Sequence, residues 1–191
     1  VRCLINQDSV KELTCLARDC KLRERAIWES IWCVLLNRYT GGDEVTLGLS
    51  DAGHCEKLQQ TWIPLRVPIE ANDSVIDLAR RIEKLYSFLV RASSEHSPPP
   101  SASSNWNLSL FESAFRLQPD SVVTRSSSET EAPSIVASVS FDEGGCQFEI
   151  DADGSRYSTP TINRMLTHVK TLAEGIAKDP SQLIHSAPFL S

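Results

Sequence analysis

The segment 22–49 constrains the fold more than any other part of the chain. Between residues 26 and 36 its only charged residue is Glu29, and apolar side chains point in almost every direction around a helix. A helix that is apolar on nearly all sides is a buried helix. Gly41 and Gly42 end it, and the β-branched alternation behind them predicts a strand. The segment therefore predicts a core helix that leads directly into a core strand.

The end of this helix also resembles a known family. Residues 35–49 read LLNRYTGGDEVTLGL, which is similar to the opening of the C-terminal lobe of a non-ribosomal peptide synthetase condensation domain. In that family a buried helix ends in a comparable R-Y-T-G run and enters a strand of the chloramphenicol-acetyltransferase-like fold. The resemblance implies a single lobe of that fold, and the neighbouring segments test it.

The segment before the core helix follows the same family order. Residues 2–6 predict a short strand, and Asp8 or Ser9 can cap the helix behind it. The inward face of that helix consists of Val10, Leu13, Thr14, Leu16 and Ala17. Condensation domains have a strand, a helix and a short joint in this position, so the order agrees with the resemblance.

The segment after the core helix agrees only in part. Residues 58–69 predict a strand, and Pro64 and Pro68 indicate an irregular strand or one at a sheet edge. The family has a phenylalanine-valine-asparagine-threonine signature before P-L-R, but here that place is taken by Gln59-Gln60-Thr61-Trp62. The predicted strand thus agrees with the family pattern, whereas the family signature is absent from this position.

The middle of the chain alternates between periodic and low-complexity segments. Asn72-Asp73-Ser74 is typical of a helix N-terminus, and residues 75–89 have helical apolar spacing. Residues 93–104, with three consecutive prolines, predict a loop. Residues 106–117 predict a strand, and the Ser-, Thr- and Glu-rich residues 119–133 predict a mobile connection.

The last third gives the strongest resemblance. Residues 134–141 and 146–150 predict a β-hairpin, and a helix capped by Ser158 or Thr159 ends at Lys178-Asp179-Pro180. This order resembles the end of a condensation domain, including a closing tetrapeptide, here Pro188-Phe189-Leu190-Ser191. In synthetases that tetrapeptide leads into the adenylation domain. The whole chain, 1–191, thus predicts an α+β fold: a two-layer sandwich of a mixed sheet with helices.

Composition limits the function classes. Hydrophobic residues make up 41% and charged residues 23% of the chain, as in soluble globular proteins. A net charge of −6 argues against nucleic-acid and anionic-membrane partners, and no apolar run approaches the roughly 18 residues of a membrane span. The first residue is Val1 rather than Met, so we expect a piece of a longer chain.

The cysteines indicate a reduced, cytoplasmic setting. No C-x-x-C pair occurs, and a zinc site built from His54, Cys55, Cys15 and Cys20 lacks the usual ligand spacing. Ordinary buried or half-buried thiols are the simpler interpretation of all six cysteines: Cys3, Cys15, Cys20, Cys33, Cys55 and Cys146. We therefore expect no metal and no cofactor.

The sequence shows no recognisable catalytic constellation. Condensation catalysis in the family uses a histidine-histidine-x-x-x-aspartate-glycine motif in the N-terminal lobe, but here His54, His96, His168 and His185 are far apart. For His168 we expect a surface or half-buried side chain on the last helix. Residues 51–55 contain a thiol and an imidazole, and residues 151–154 resemble half a calcium loop; both are more simply a loop and a turn.

The sequence therefore predicts a truncated condensation domain, the C-terminal lobe alone, which is not an enzyme by itself. We expect a monomer that serves as a structural platform for an adenylation domain in cis, with Pro188, Phe189, Leu190 and Ser191 at the interface. Two alternatives remain. One is an acyltransferase half that self-associates through the Trp62 strand, and the other is a docking module for a peptidyl carrier protein. Polar substitutions on the former lobe interface suggest that solvent now wets it.

Overall fold

The computed structural model describes residues 1–50, 62–95, 111–118, 133–142 and 145–187. Within these ranges, four α-helices and six strands form an α+β arrangement, as the sequence predicts. The elements are β1 (Arg2–Ile5), α1 (Gln7–Asp19), α2 (Glu24–Thr40), β2 (Glu44–Ser50), β3 (Trp62–Pro68), α3 (Val75–Glu95), β4 (Ser113–Gln118), β5 (Ile135–Asp142), β6 (Gly145–Ala152) and α4 (Thr159–Lys178).

The strands form one six-stranded mixed sheet in the order β1-β6-β5-β4-β2-β3. β4 runs parallel to both of its neighbours, whereas the other pairs are antiparallel. β3 lies at one edge, as its prolines predict, and the predicted hairpin is formed by β5 and β6. Side chains from all four helices share one apolar cluster with one face of the sheet. The fold is therefore a two-layer sandwich.

α2 is the buried helix that the sequence predicts. Gly41 follows it in the left-handed conformation, with φ of 69°, and donates its N–H to the carbonyl of Asn37 at 2.7 Å. The indole N–H of Trp32 donates to the Ser113 hydroxyl of β4 at 2.9 Å. The ring of Phe148 on β6 lies 6.0 Å from the Trp32 ring, centroid to centroid. These contacts fix α2 to the centre of the sheet.

The one charge within the apolar run of α2 is neutralised where it is buried. Glu29 is only 3% exposed, and its carboxylate accepts a hydrogen bond from the guanidinium of Arg25, one turn earlier. Burial raises the pKa of Glu29, and the charge of Arg25 opposes that rise. The Arg25 guanidinium also lies 4.9 Å above the centre of the Tyr86 ring on α3. The pair therefore links the N-terminal half of α2 to α3.

The second face of the sheet differs from the helix-covered face. Because side chains alternate along a strand, Gly48 on β2 and Ala114 and Arg116 on β4 lie on this second face. Phe111 is 4% exposed and packs on Gly48, outside the main apolar cluster. The Nε atom of Arg116 is buried and has no hydrogen-bond partner among the described residues. This face thus carries a small apolar contact and an arginine whose Nε has no partner in the described part of the chain.

Several local predictions need correction. The cap of α1 is Asn6, whose side chain accepts from the N–H of Asp8 at 2.8 Å, so neither Asp8 nor Ser9 caps it. Residues 93–95, expected in a loop, belong to α3. β4 begins at Ser113, so residues 111 and 112 of the predicted strand do not belong to it, and residues 106–110 lie outside the described ranges. Pro133, the last residue of the predicted mobile connection, is buried, and the mobility of that connection stays a prediction. The rest of that connection and of the 93–104 loop lie outside the described residues.

Candidate functional site

The tetrapeptide predicted as an interface, Pro188, Phe189, Leu190 and Ser191, lies outside the described residues. The structure does describe the segment that leads to it. After α4 ends at Lys178, residues 179–187 form a segment that we call the C-terminal strap. It includes a short 3₁₀ helix, Ile184–Ser186.

Backbone and side-chain bonds fasten the strap to two distant elements. Leu183 forms an isolated β-bridge with Ser74, and the N–H of Ile184 donates to the carbonyl of Asp73 at 2.8 Å. The guanidinium of Arg38, in the last turn of α2, donates to the carbonyl of Ile184 at 2.6 Å. The strap is thus held by the end of α2 and by the residues that precede α3.

Asp73, one of these anchors, is itself fixed. It is 5% exposed, and its carboxylate accepts two hydrogen bonds from the Arg81 guanidinium and one from the N–H of Glu70. Hydrogen bonding to Asp73 raises the pKa of Arg81 above its ordinary value. Ser74 and Asp77 complete a reciprocal capping box at the start of α3. The strap therefore rests on a rigid helix start.

A groove lies beside the strap, with a cavity volume of about 330 Å³. We call it the exit groove; its walls include Gly41, Gly42, Asp43, residues 69–71, Ile184 and His185. Two carboxylates, Asp43 and Glu70, lie on its wall together with the C-terminal end of α2. The carbonyl end of a helix carries a partial negative charge. Arg38 lies on the same wall, so the groove carries charges of both signs.

The histidines do not form a catalytic pair in the described part of the chain. His54 and His96 lie outside it. His168 is 7% exposed, which corrects the expected surface or half-buried position, and its Nδ1 lies 3.0 Å from the Tyr39 hydroxyl. Burial lowers the pKa of His168, and the nearby Arg164 lowers it further. His185 is exposed in the 3₁₀ helix of the strap.

The remaining candidates support no site. Among the described residues, no group of three or more His, Cys, Asp or Glu side chains could hold a metal. Five cysteines of the described ranges are free thiols, and burial raises the pKa of Cys33. Asp153 accepts hydrogen bonds from the N–H and hydroxyl of Ser155, so the half calcium loop is a turn. Residues 51–55 lie outside the described ranges.

No described helix is long and apolar enough to cross a membrane.

The sequence does not reveal the anchors of the strap. It assigns Asp73 to a helix N-terminus, which is correct, but the backbone bond of Asp73 to Ile184 joins positions more than a hundred residues apart. Arg38 lies in the last turn of α2, and its bond to the same residue joins positions that are even farther apart in sequence. Arg116, the charged residue of β4, is the visible signal for the second face.

Comparison with known proteins agrees with the resemblance in the sequence. No protein-family model matches the chain. A linear gramicidin synthase of Brevibacillus parabrevis is 26% identical over 216 aligned residues, which cover 98% of this chain and 4% of that protein. The first condensation domain of the CDA synthetase superposes with a TM-score of 0.72 and 11% identity, covering all of this chain. The chain has the fold of one condensation-domain lobe.

A second solved structure gives a higher similarity to the condensation-like lobe. A chain of the complex of the X-domain and OxyB from teicoplanin biosynthesis superposes with a TM-score of 0.80 and 12% identity. The lobe covers 48% of that chain and 48% of the CDA synthetase domain. It therefore spans about half the length of the solved structures that it matches, and the predicted resemblance to a single lobe is confirmed.

Proposed function

We propose that this condensation-like lobe is a non-catalytic part of a non-ribosomal peptide synthetase and serves as a structural platform for an adjoining adenylation domain. The observation that carries the proposal is the C-terminal strap, which Arg38 and Asp73 fasten to the end of α2 and to the residues before α3, shortly before the tetrapeptide 188–191. A fastened exit holds the next part of the chain in a defined place, whereas a loose one would not.

The histidine environment supports a non-catalytic role. No two histidines are adjacent in the 191 residues, so the family motif has no counterpart here. His168 is buried against Tyr39, whose hydroxyl is bonded to its Nδ1. A general base has to come within hydrogen-bond reach of the nucleophile whose proton it accepts. A histidine buried in the contact between α2 and α4 does not suit that task.

The edge of the sheet supports a monomer over the self-associating acyltransferase. The N–H of Ile69 points inward to the carbonyl of Asp43, so the N–H groups of β3 at even positions point away from the sheet. Pro64 and Pro68 occupy two of these outward positions and have no N–H to donate. An added strand would find few donors on this edge, which is how proteins protect edge strands.

One matched structure supports an assembly role. It is a complex of the X-domain with OxyB, so a protein of this fold takes part in binding another protein. The curated relative, of which the lobe covers 4%, is a large synthase in which such a lobe would have neighbours on its own chain. For this lobe we propose only the general role of a protein-binding surface, and the proposed partner is the adenylation domain.

Hydrogen exchange tests the platform. We compare the chain alone with the same chain joined to the adenylation domain that follows it in its synthetase. His185 and Ser186 are exposed residues, and their amides should exchange more slowly in the joined protein, because the strap would lie under the interface. Amides of the distant edge strand β1 are the internal control and should not change. An unchanged strap would contradict the platform, as would a reading frame that places another kind of domain behind position 191.

An assay with carrier-bound acyl thioester and an amine acceptor tests the non-catalytic part. We expect turnover at the background rate. Turnover above background that is lost in His168→Ala or His54→Ala, with folding retained, would restore the acyltransferase alternative.

A further inference from the structure

We propose that the outer side of α3 is a docking surface for an acidic amphipathic helix of a partner protein. The surface, which we call the α3 stripe, consists of Arg80, Lys84, Phe88 and Arg91. The proposal does not depend on the C-terminal strap, and it assigns a second protein-binding surface to the lobe.

Helical spacing places the four residues of the α3 stripe on one side of the helix. Steps of four, four and three residues keep their side chains within about 80° of one another around the helix axis. All four residues are exposed, whereas Leu78 and Ile82 on the opposite side are buried. Arg80 and Arg91 are separated by a rise of about 17 Å along the axis. The α3 stripe is therefore one continuous exposed strip about three helical turns long.

Phe88 is the apolar centre of the α3 stripe. It is 70% exposed, more than any other large apolar residue in the described ranges. A single exposed apolar residue is common on protein surfaces and by itself indicates nothing. Lys84, however, lies one turn before Phe88, and Arg91 lies one turn after it. Aromatic and arginine side chains are the types enriched in the cores of protein interfaces, so this grouping favours a binding surface.

The charge of the α3 stripe favours an acidic partner. The stripe carries three basic residues in a chain whose net charge is −6. Glu83, the neighbouring carboxylate on α3, is bonded to Arg23 at 2.7 Å. Asp77 lies 3.7 Å from Arg80 in an exposed pair, and such pairs are weak. The lobe therefore neutralises the stripe only in part, and carboxylates of a partner would complement it.

The net charge of the chain favours a protein as that partner. Nucleic acids and anionic membranes respond to the field of the whole molecule, and a chain of net charge −6 repels them. A protein needs complementary charge only near the contact, because salt screens charges beyond about 10 Å. A partner helix packed along α3 repeats the same three- and four-residue spacing. Its acidic residues can then meet the basic residues of the stripe, while an apolar residue between them covers Phe88.

A synthetic peptide tests the proposal. The probe is a labelled helix of four turns, with glutamates at the positions that face the basic residues and a leucine at the position that faces Phe88. Its matched peptide has glutamine in place of every glutamate. Fluorescence anisotropy measures the Kd at low and high salt, and amide resonances of the unmodified chain locate the contact. Resonances of the α3 stripe should shift on binding, whereas those of the C-terminal strap should not.

Matched variants show whether the α3 stripe provides the binding. The stripe variant is Lys84→Glu with Phe88→Ala, which changes two exposed side chains. The control is Lys11→Glu with Leu4→Ala, which likewise reverses one exposed lysine and truncates one exposed apolar side chain, on α1 and β1. Circular dichroism checks that both variants fold. The single variant Lys84→Gln removes the charge more gently and should weaken binding to a smaller extent.

The stripe variant should raise the Kd about tenfold, and the control should bind as the unmodified chain does. The glutamine peptide should bind more weakly and with less salt dependence than the glutamate peptide. Equal affinity for the two peptides, equal effects of the two variants, or no binding by the unmodified chain would overturn the proposal. Binding to phosphatidylserine vesicles instead of the peptide would assign the stripe to a membrane and would also overturn it. A homodimer that the stripe variant abolishes would do the same.

Discussion

The two faces of the sheet are built on different principles. The helix-covered face is mostly apolar, although it includes the buried hydroxyl of Ser113, and four helices close it around a group of aromatic side chains that includes Trp32 and Phe148. The second face has polar and charged residues in the alternate positions, with Phe111 over Gly48 as a small apolar contact. Stability therefore resides mainly on the first face. The second is held by a few close contacts and is freer to change.

The largest expected effect is on the helix-covered face. Trp32→Ala should lower the free energy of unfolding by about 3–5 kcal/mol, because it leaves a cavity and also removes the donor of the buried Ser113 hydroxyl. Chemical unfolding monitored by circular dichroism measures the change. Trp28→Phe is a useful comparison, since the buried Nε1 of Trp28 has no partner to lose among the described residues. A Trp32→Ala protein with an unchanged midpoint would mean that the stability does not reside on this face.

The next largest effect is expected on the second face, where Phe111 packs on Gly48. A Cβ at position 48 would lie 2.3 Å from the Phe111 ring, so Gly48→Ala should cost about 1–3 kcal/mol. The double variant Gly48→Ala with Phe111→Ala removes the clash, and its cost should be smaller than the sum of the two single costs. Additive costs would show that the two residues do not touch in solution.

A smaller effect of opposite sign is expected at the arginine of the second face. Arg116→Met replaces a guanidinium whose buried Nε has no partner in the described part of the chain by an apolar side chain of similar length. The change should raise the free energy of unfolding by about 1 kcal/mol. Arg66→Met is the matched control on the same face, because Arg66 is exposed and ion-paired with Glu44; it should change stability little. A loss of stability in Arg116→Met would show that this arginine supports the fold.

The smallest effect is a pH dependence within the helix layer. Burial lowers the pKa of His168 in the folded protein below its usual value of about 6.5, so the folded state binds fewer protons there than the unfolded state. His168 thus contributes stability that is present above pH of about 6.5 and is lost as the pH falls toward the folded pKa. The melting temperature of the unmodified chain should fall more between pH 7 and pH 5 than that of His168→Gln. Parallel curves would contradict this prediction.

The sequence predicts most helices and strands from local patterns, but it misplaces some of their ends. The apolar run of α2, its glycine stop and the alternation of the β5–β6 hairpin are local patterns, and each predicts an element that the structure contains. The sequence places the end of α3 too early because residues 93–95, Ser-Ser-Glu, carry no apolar periodicity. It misplaces the cap of α1 since Asn6, Asp8 and Ser9 are all competent caps.

The candidate site is harder to predict than the fold, for a physical reason. Its bonds join Ile184 to Asp73 and to Arg38, and two of the four atoms involved are backbone carbonyl oxygens, which every residue has. No residue type in the strap predicts that such a contact forms. The groove beside the strap is formed by three segments that are distant in sequence, 37–43, 69–71 and 184–185. Composition and spacing can suggest the closing tetrapeptide, but they cannot predict a groove of this kind.

The fastening of the strap also decides how the lobe responds to a pull. Tension applied beyond Ala187 reaches the Ile184–Asp73 and Arg38–Ile184 bonds before it reaches α4. The load then passes into the end of α2 and the start of α3, in the middle of the helix layer. α4 therefore does not detach from the sheet one turn at a time. A pull on the strap would therefore strain its bonds to Asp73 and Arg38, while the long helices keep their packing.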